Sequence, residues 1–102
     1  DDFVDAAVRL SECVANEVIN VGAGEEHSIR HFAELICRHV GYDFDQIEFD
    51  TSRYVGARSK FLDVRKLQRY LPAFKRTPLA AGLATTIDWF RKHALGPASV
   101  AA

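Results

Sequence analysis

The chain has 102 residues, which fits one small domain, and 48% of them are hydrophobic, so we expect a packed core rather than disorder. It has no apolar run of about 18 residues and shows no secretion leader, so we expect a cytoplasmic protein that does not span a membrane. Its net charge of −1 conceals a segregation, because residues 1–52 carry twelve acidic and three basic side chains, whereas residues 53–76 carry eight basic and one acidic. This segregation predicts a local anion site or a charged partner surface.

The predicted elements begin with a helix over residues 3–15 and a strand over residues 17–22. The strand is predicted because apolar side chains alternate around Ile19 and Val21 and the run ends in a glycine. The helix is predicted because four apolar side chains recur at helical spacing. These four are Phe3, Ala7, Leu10 and Val14.

A second helix is predicted between Ser28, which is a suitable N-cap, and Gly41, which supplies a C-terminal stop. Two short strands are predicted over residues 47–50 and 60–63. After the first of them comes a loop-like stretch rich in cations, SRYVGARSKFLD, which includes the second and which we call the basic loop (residues 52–63).

Two further helices complete the predicted order α-β-α-β-β-α-α. One covers residues 64–71, with Asp63 as its cap and Pro72 at its end, and the other runs from Thr77-Pro78 to about His93. Residues 95–102 are expected to form a flexible tail. The pattern therefore predicts one α+β domain or fragment with a thin sheet. Because the edges of such a sheet need partners, we expect a larger missing body and self-association of the isolated chain.

The remaining chemical signals favour ordinary structural roles. Cys13 and Cys37 are not paired in a C-x-x-C motif, so we expect two reduced core thiols. His27 and His31 are four residues apart but have no third ligand, which favours surface histidines over a metal site. The basic residues of the 64–71 helix accompany apolar residues that must be buried, so they indicate a solvated helix face rather than a nucleic-acid interface.

Two motifs of redox enzymes are also tested and set aside. The segment VGAGEEH (21–27) follows a predicted strand, but a dinucleotide loop needs a third glycine where His27 stands, and Glu25 and Glu26 would repel phosphates. Tyr54 and Arg58 have the offset of a Tyr-x-x-x-Lys pair, yet arginine stays protonated and cannot replace the lysine. We therefore predict a glycine turn and a chance spacing, with no cofactor and no metal bound in this chain.

The basic loop is the strongest candidate for a ligand site. Arg53, Arg58 and Lys60 flank Gly56 there. Arginine forks onto phosphate oxygens and lysine adds a point charge, so the loop is suited to close over an anion. Accidental charge on a surface loop is the alternative interpretation.

Three segments together carry a family resemblance: INVGAGEEHSIRHFAELICRHVGYD, IEFDTSRYVGARSKFLDVRKL and TPLAAGLATTIDWF. In this order they resemble the C-terminal part of the NAD(P)-dependent nucleotide-sugar epimerases and dehydratases, which are extended short-chain dehydrogenases, and most of all its GDP-L-fucose synthase group. The resemblance covers about residues 1–93. It implies a small substrate-binding lobe that lacks the Rossmann core.

The family's S-K-P-D-G-T-P-R-K loop, which leads into L-D and closes over the nucleotide diphosphate, corresponds to the basic loop. The sequence departs from the family at Tyr54-Val55, at Ala57-Arg58-Ser59, where the arginine has moved by one position, and at Tyr70-Leu71-Pro72, which replaces a Gly-Trp. The resemblance implies a substrate-binding set of Ser52, Arg53, Gly56, Arg58, Lys60 and Asp63.

The family's glycine-rich cofactor loop and Ser/Tyr-x-x-x-Lys group lie upstream of the matching region. The resemblance therefore implies that NAD or NADP binds a missing N-terminal Rossmann domain, that the ligand is a nucleotide-diphosphate sugar, and that this chain alone is inactive. The alternative is a free-standing protein-interaction or oligomerisation module without a ligand.

Overall fold

The computed structural model describes residues 1–53 and 56–95. Tyr54 and Val55 of the basic loop lie outside the described residues, and so does the predicted tail from residue 96 onward. Across the described ranges the backbone forms four α-helices and one 3₁₀ turn. They are α1 (Asp2–Cys13), α2 (Ile29–Val40), the 3₁₀ turn (Phe44–Gln46), α3 (Arg65–Tyr70) and α4 (Leu79–His93).

The chain divides into two compact units. The first unit consists of residues 1–26 and 51–76 and contains α1, α3 and the basic loop. The second unit consists of residues 27–50 and the chain from residue 77, and it contains α2, the 3₁₀ turn and α4. Each unit is assembled from two separate segments of the sequence, so the basic loop meets residues that precede it by about thirty positions.

The first unit has a small apolar core between two helices. Ala6 and Leu10 of α1 and Leu67 of α3 are buried, and partly buried side chains from the connecting segments surround them. Because so few side chains are removed from water, single core contacts weigh heavily in the stability of this unit. The surrounding side chains are Val14, Ile19, Val21, Val64, Tyr70, Leu71 and Phe74.

Helix α1 buries only part of the predicted face. Of the four apolar side chains that were predicted to face the core, Leu10 is buried and Val14 packs against the core. The prediction is wrong for Phe3, which is 66% exposed, and for Ala7, which is also exposed. Phe3 lies on the same side of the helix as Leu10, but it precedes the first buried position, Ala6, by about one turn and is therefore beyond the end of the core. Val4 and Val8 are also exposed, so α1 carries a second apolar side that faces solvent.

The second unit is built on α2, and its end signals act as predicted. The hydroxyl oxygen of Ser28 accepts a hydrogen bond of 3.1 Å from the backbone N–H of His31. Gly41 ends the helix with a φ of 77°, a left-handed conformation that glycine adopts without penalty. His39 Nε2 lies 3.0 Å from Asp88 Oδ1, which joins α2 to α4.

The predicted strands over residues 17–22, 47–50 and 60–63 are not strands in the structure, where all three segments are non-helical and unpaired by any ladder. A strand requires a hydrogen-bonded partner, which an alternating pattern alone does not supply. The alternation of apolar side chains in residues 17–22 nevertheless corresponds to a difference in burial, because Ile19 and Val21 pack on the core while Val18 is 84% exposed. The described chain is thus mostly helical, and the predicted α+β order is not confirmed.

The two cysteines differ in their surroundings. Both are free thiols, but Cys37 is buried in α2 whereas Cys13, at the end of α1, is exposed. The predicted core position is therefore confirmed for Cys37 and wrong for Cys13. A separate finding is that none of the described helices has the length and apolar character needed to cross a bilayer.

Candidate functional site

The basic loop lies on the surface of the first unit, and its described residues, 52–53 and 56–63, are all exposed. Two hydrogen-bond donors of this loop point to one acidic side chain. Ser59 Oγ donates to Glu26 Oε2 over 2.7 Å, and the backbone N–H of Lys60 donates to Glu26 Oε1 over 3.3 Å. The loop therefore already holds a carboxylate, with one donor on each of its two oxygens.

The charged side chains at the centre of the loop form no ion pair with Glu26. The guanidinium of Arg58 and the ammonium of Lys60 form no ion pair with any residue that the structure describes. Ser52 and Arg53 lie at the start of the loop, exposed, and both take part in interactions. The two cations at the centre of the loop are thus available to an anionic ligand from solvent.

Gly56, in the middle of the basic loop, faces open space among the residues that the structure describes. A Cβ atom added there would meet none of their atoms within 4 Å, its chain neighbours aside. Packing against the described residues therefore does not require glycine at this position. The absence of a side chain leaves room for a ligand to approach the backbone closely.

Asp63, at the end of the loop, is held by Arg65. Its Oδ1 accepts hydrogen bonds of 3.0 Å from both the backbone N–H and Nε of Arg65, and its Oδ2 lies 2.5 Å from Arg65 Nη2. The side-chain hydrogen bond with Arg65 is the largest cause that lowers the pKa of Asp63 to about 2, and the backbone hydrogen bond adds to it. Both carboxylate oxygens are therefore engaged just before α3. The N-cap residue of that helix is Val64, without a side-chain cap, so the prediction that Asp63 is the cap is wrong by one residue, and Asp63 instead holds the N–H of Arg65 from the position before the cap.

A basic cleft with a volume of about 460 Å³ opens beside α3. Lys66, which lines it, is held by Glu17, whose carboxylate accepts hydrogen bonds of 2.9 Å from Lys66 Nζ and from Tyr70 Oη. The bond from Lys66 is the main cause that lowers the pKa of Glu17, and the bond to Glu17 raises the pKa of Tyr70. Lys66 thus ties α3 to the segment that follows α1 within the first unit. The cleft is lined by Val18, Asn20, Asp63, Arg65, Lys66 and Arg69.

The glycine turn (residues 21–26) packs beside the start of α3 and carries the carboxylate that contacts the basic loop. Gly24 has a φ of 69°, and a Cβ there would lie 2.4 Å from Val64 Cγ2. Arg76 donates to the carbonyl oxygen of Ala23 and, over 2.8 Å, to Glu25 Oε2. The turn is therefore closed by side chains of its own unit, and it points its next carboxylate, that of Glu26, at the basic loop.

The histidines offer no metal site in the part of the chain that the structure describes. The rings of His27 and His31 stack with centroids 5.3 Å apart. No group of three or more histidine, cysteine or acidic side chains there is placed to hold a metal ion.

Two residues of the site, Glu26 and Ser59, were not among the predicted set. They are 33 residues apart, so no local spacing relates them. The only signal in the sequence was the acidic pair that follows the glycines, which sequence reasoning used as an argument against phosphate. The structure brings Glu26 onto Ser59 and Lys60, while it places Ser52, Arg53, Gly56 and Arg58 along the same exposed loop.

Comparison with known proteins gives relatives of one kind. The chain is 37% identical to GDP-L-fucose synthase of Escherichia coli (strain K12), over 91% of this chain and 32% of that protein. It is 36% identical to dTDP-4-dehydro-6-deoxy-D-allose reductase of Streptomyces sp, over 90% of this chain and 28% of that protein. It is also 33% identical to dTDP-glucose 4,6-dehydratase of Streptomyces griseus, over 88% of this chain and 29% of that protein.

The chain thus spans between 28% and 32% of the length of these curated relatives. No family model matches the chain. No solved structure matches it either. The relatives are named for a GDP-sugar and for dTDP-sugars, so the base differs among them while a nucleotide sugar is common to all three. Over about nine-tenths of its length the chain is therefore homologous to part of the nucleotide-sugar synthases, reductases and dehydratases, which confirms the resemblance read from its residues.

Proposed function

We propose that this chain is the nucleotide-sugar-binding part of an NAD(P)-dependent sugar epimerase, reductase or dehydratase, and that its basic loop clamps the diphosphate. The observation that carries the proposal is the carboxylate of Glu26, which rests on a hydroxyl and a backbone N–H of that loop. A loop that presents convergent donors to one anion is suited to present them to another.

The charges of the loop fit a diphosphate better than a single phosphate. A guanidinium forks onto two phosphate oxygens, and an ammonium adds a compact charge. Arg58 and Lys60 have no ion pair among the described residues, and Arg53 stands at the start of the same loop. Two phosphates are needed to engage these cations together, so selectivity for diphosphate over monophosphate is expected.

The remaining predicted site residues have supporting roles in this proposal. Ser52 adds a hydroxyl at the start of the loop, and Gly56 leaves its backbone open to the ligand. Asp63 is held by Arg65 and fixes the point where the loop meets α3, rather than contacting the sugar.

The cofactor is proposed to bind elsewhere. The glycine turn does not fit the pyrophosphate of NAD or NADP, because Val64 fills the space over Gly24 and two carboxylates follow it. We therefore place the cofactor, together with the Tyr-x-x-x-Lys chemistry, on an N-terminal Rossmann domain in the part of the relatives' length that this chain does not span. The chain alone is then expected to bind ligand without transferring hydride.

The test is an NMR titration of the backbone amides with GDP, UDP and GMP. Saturable shifts in the described part of the basic loop, stronger with either diphosphate than with GMP, are expected. The double variant Arg58→Ala, Lys60→Ala should abolish them.

The matched control is the double variant Arg91→Ala, Lys92→Ala, which removes the same charge from α4 in the second unit. Its titration should follow that of the unmodified chain. An equal loss of the amide shifts in both double variants would show that they arise from overall charge rather than from the basic loop. The absence of any amide shift in the unmodified chain at millimolar diphosphate would refute the clamp.

A second candidate function, a protein-interaction or oligomerisation module, is favoured by the exposed apolar side of α1. Phe3, Val4 and Val8 are 54–66% exposed, and apolar side chains grouped in this way favour association. This candidate predicts association without nucleotide selectivity. Sedimentation velocity at rising concentration, with a Val4→Ser, Val8→Ser variant as the comparison, tests it, and a monomer at all concentrations would contradict it.

A further inference from the structure

The carboxylate of Glu26 occupies the donors of the basic loop in a two-point arrangement. Each of its oxygens accepts one hydrogen bond, Oε2 from the hydroxyl of Ser59 over 2.7 Å and Oε1 from the backbone N–H of Lys60 over 3.3 Å. Glu26 comes from the glycine turn, 33 residues earlier in the chain, and this contact is formed within the first unit.

A hydroxyl and a backbone N–H that converge on two oxygens also form a donor set for phosphate. A carboxylate presents its two oxygens about as far apart as two oxygens of a phosphate group, so the same donors cannot serve both anions at once. The side chain of Glu26 is exposed and can therefore swing away into water without an apolar barrier.

We infer that Glu26 is an internal competitor for the anion site: it holds Ser59 and Lys60 when no ligand is present and must be displaced by a phosphate group of the ligand. This inference rests on the proposed function, since it concerns the affinity of the same loop. Its consequence is that the chain binds diphosphates more weakly than its donors and cations would allow. Removal of the competing carboxylate should tighten binding.

The test compares the affinities of the full chain and its variants for inorganic pyrophosphate and for GDP. Glu26→Gln keeps one acceptor oxygen without the charge, and Glu26→Ala removes the acceptor altogether. Because an exposed charged contact contributes at most about 1 kcal/mol, Glu26→Ala should tighten binding about threefold to fivefold, with Glu26→Gln between it and the unmodified chain.

The matched control is Glu25→Gln. It makes the same charge change as Glu26→Gln one residue away, and its carboxylate accepts a hydrogen bond of 2.8 Å from Arg76. Its affinity should change by less than about 1.5-fold, because the carboxylate it replaces is paired with Arg76 and an exposed ion pair contributes little. An increase shared by Glu25→Gln and both Glu26 variants would overturn the inference, since it would be a general charge effect.

Two further outcomes separate this inference from the proposed function. In the first outcome, the unmodified chain binds pyrophosphate and the Arg58→Ala, Lys60→Ala variant does not, which supports the clamp. If Glu26→Ala then binds pyrophosphate with the same affinity as the unmodified chain, or with a lower one, the role of Glu26 as a competitor is refuted while the clamp stands. If no form of the chain binds pyrophosphate or GDP, the clamp itself fails, and the competitor with it.

The contact can also be measured without any ligand. Loss of the carboxylate should move the amide resonance of Lys60 and accelerate its hydrogen exchange in Glu26→Ala, whereas Glu25→Gln should leave both unchanged. An unchanged Lys60 amide in Glu26→Ala would show that the carboxylate does not hold the loop in solution, which overturns the inference independently of binding.

Discussion

The substitution Gly24→Ala tests how the glycine turn holds Glu26 against the basic loop. Two penalties are expected together. A residue with a side chain pays about 1–2 kcal/mol for a left-handed backbone, and Gly24 has a φ of 69°. The new Cβ would also lie 2.4 Å from Val64 Cγ2, a contact that must be relieved by movement.

Forcing an extra methyl group into an occupied site costs about 1–3 kcal/mol, so the two penalties sum to roughly 2–5 kcal/mol. The free energy of unfolding of a domain of this size is about 5–15 kcal/mol, so the loss should be a large share of the total. Urea unfolding followed by circular dichroism measures it.

A matched control and a double variant separate the two penalties. Gly56→Ala lies in the same unit, but its Cβ would meet no atom of the described residues within 4 Å apart from its chain neighbours, so its effect should stay within about 0.5 kcal/mol. Val64→Ala removes the opposing methyl group, so Gly24→Ala should cost less in that background, and the difference measures the steric part. The reasoning is refuted if Gly24→Ala destabilises the chain no more than Gly56→Ala does.

Three further predictions concern stability. The pKa of Asp63 falls from 3.8 to about 2 on pairing with Arg65, so this pairing stabilises the fold above pH 3.8 and is lost as the pH falls toward 2. In Asp63→Asn the free energy of unfolding should therefore depend less steeply on pH between about 2 and 3.8. An unchanged slope would contradict the lowered pKa of Asp63. Ser28→Ala removes the cap on the N–H of His31 and should cost about 1 kcal/mol in urea unfolding, with Ser28→Asp retaining most of the stability. Gly41→Ala meets no atom within 4 Å, so it should cost only the backbone penalty of about 1–2 kcal/mol, and a larger loss would reveal an unseen contact.

Local signals in the sequence were sufficient to predict the helices. Ser28 and Gly41 bound α2 as expected, because an N-cap hydroxyl and a left-handed glycine act within one turn of the chain. The end of α3 before Pro72 follows from the same kind of rule. Helix α4 begins one residue later than Pro78 was expected to place it, at Leu79, which is within the usual uncertainty of a helix boundary.

Non-local features could not be predicted in the same way. Alternation around Ile19 predicted a strand, but a strand also depends on a partner that only the complete fold supplies. The exposure of Phe3 depends on how far along α1 the core extends, because the buried positions begin only at Ala6. Likewise, the contact between Glu26 and Ser59 joins two segments that have no common spacing in the sequence.

The segregation of charge along the sequence is resolved partly inside the first unit. Acidic residues of the 17–26 segment meet partners from the later basic segment: Glu17 pairs with Lys66 and Glu25 with Arg76. The charge pattern that predicted an anion site is thus also a pattern of contacts between two distant segments. Arg58 and Lys60 are exceptions, since the described residues provide them with no ion pair.

Because Arg58 and Lys60 have no ion pair among the described residues while the donors of the basic loop contact Glu26, the loop can exchange this carboxylate for a ligand. The hydrogen bonds of Glu26 are exposed, and an exposed charged contact contributes at most about 1 kcal/mol. A diphosphate that engages Arg58 and Lys60 as well as the same donors gains more interactions than the carboxylate it replaces. The exchange is therefore more favourable for a ligand with two phosphates than for one with a single phosphate. Because Glu26 must leave the same donors before either nucleotide binds, it lowers both affinities by the same factor and leaves the preference for diphosphate to Arg58 and Lys60. On this argument, Glu26→Ala should tighten the binding of GMP and of GDP by equal factors, and isothermal titration of both nucleotides measures them. Tightening of GDP alone would show that GMP binds without displacing Glu26, which contradicts the shared donor set.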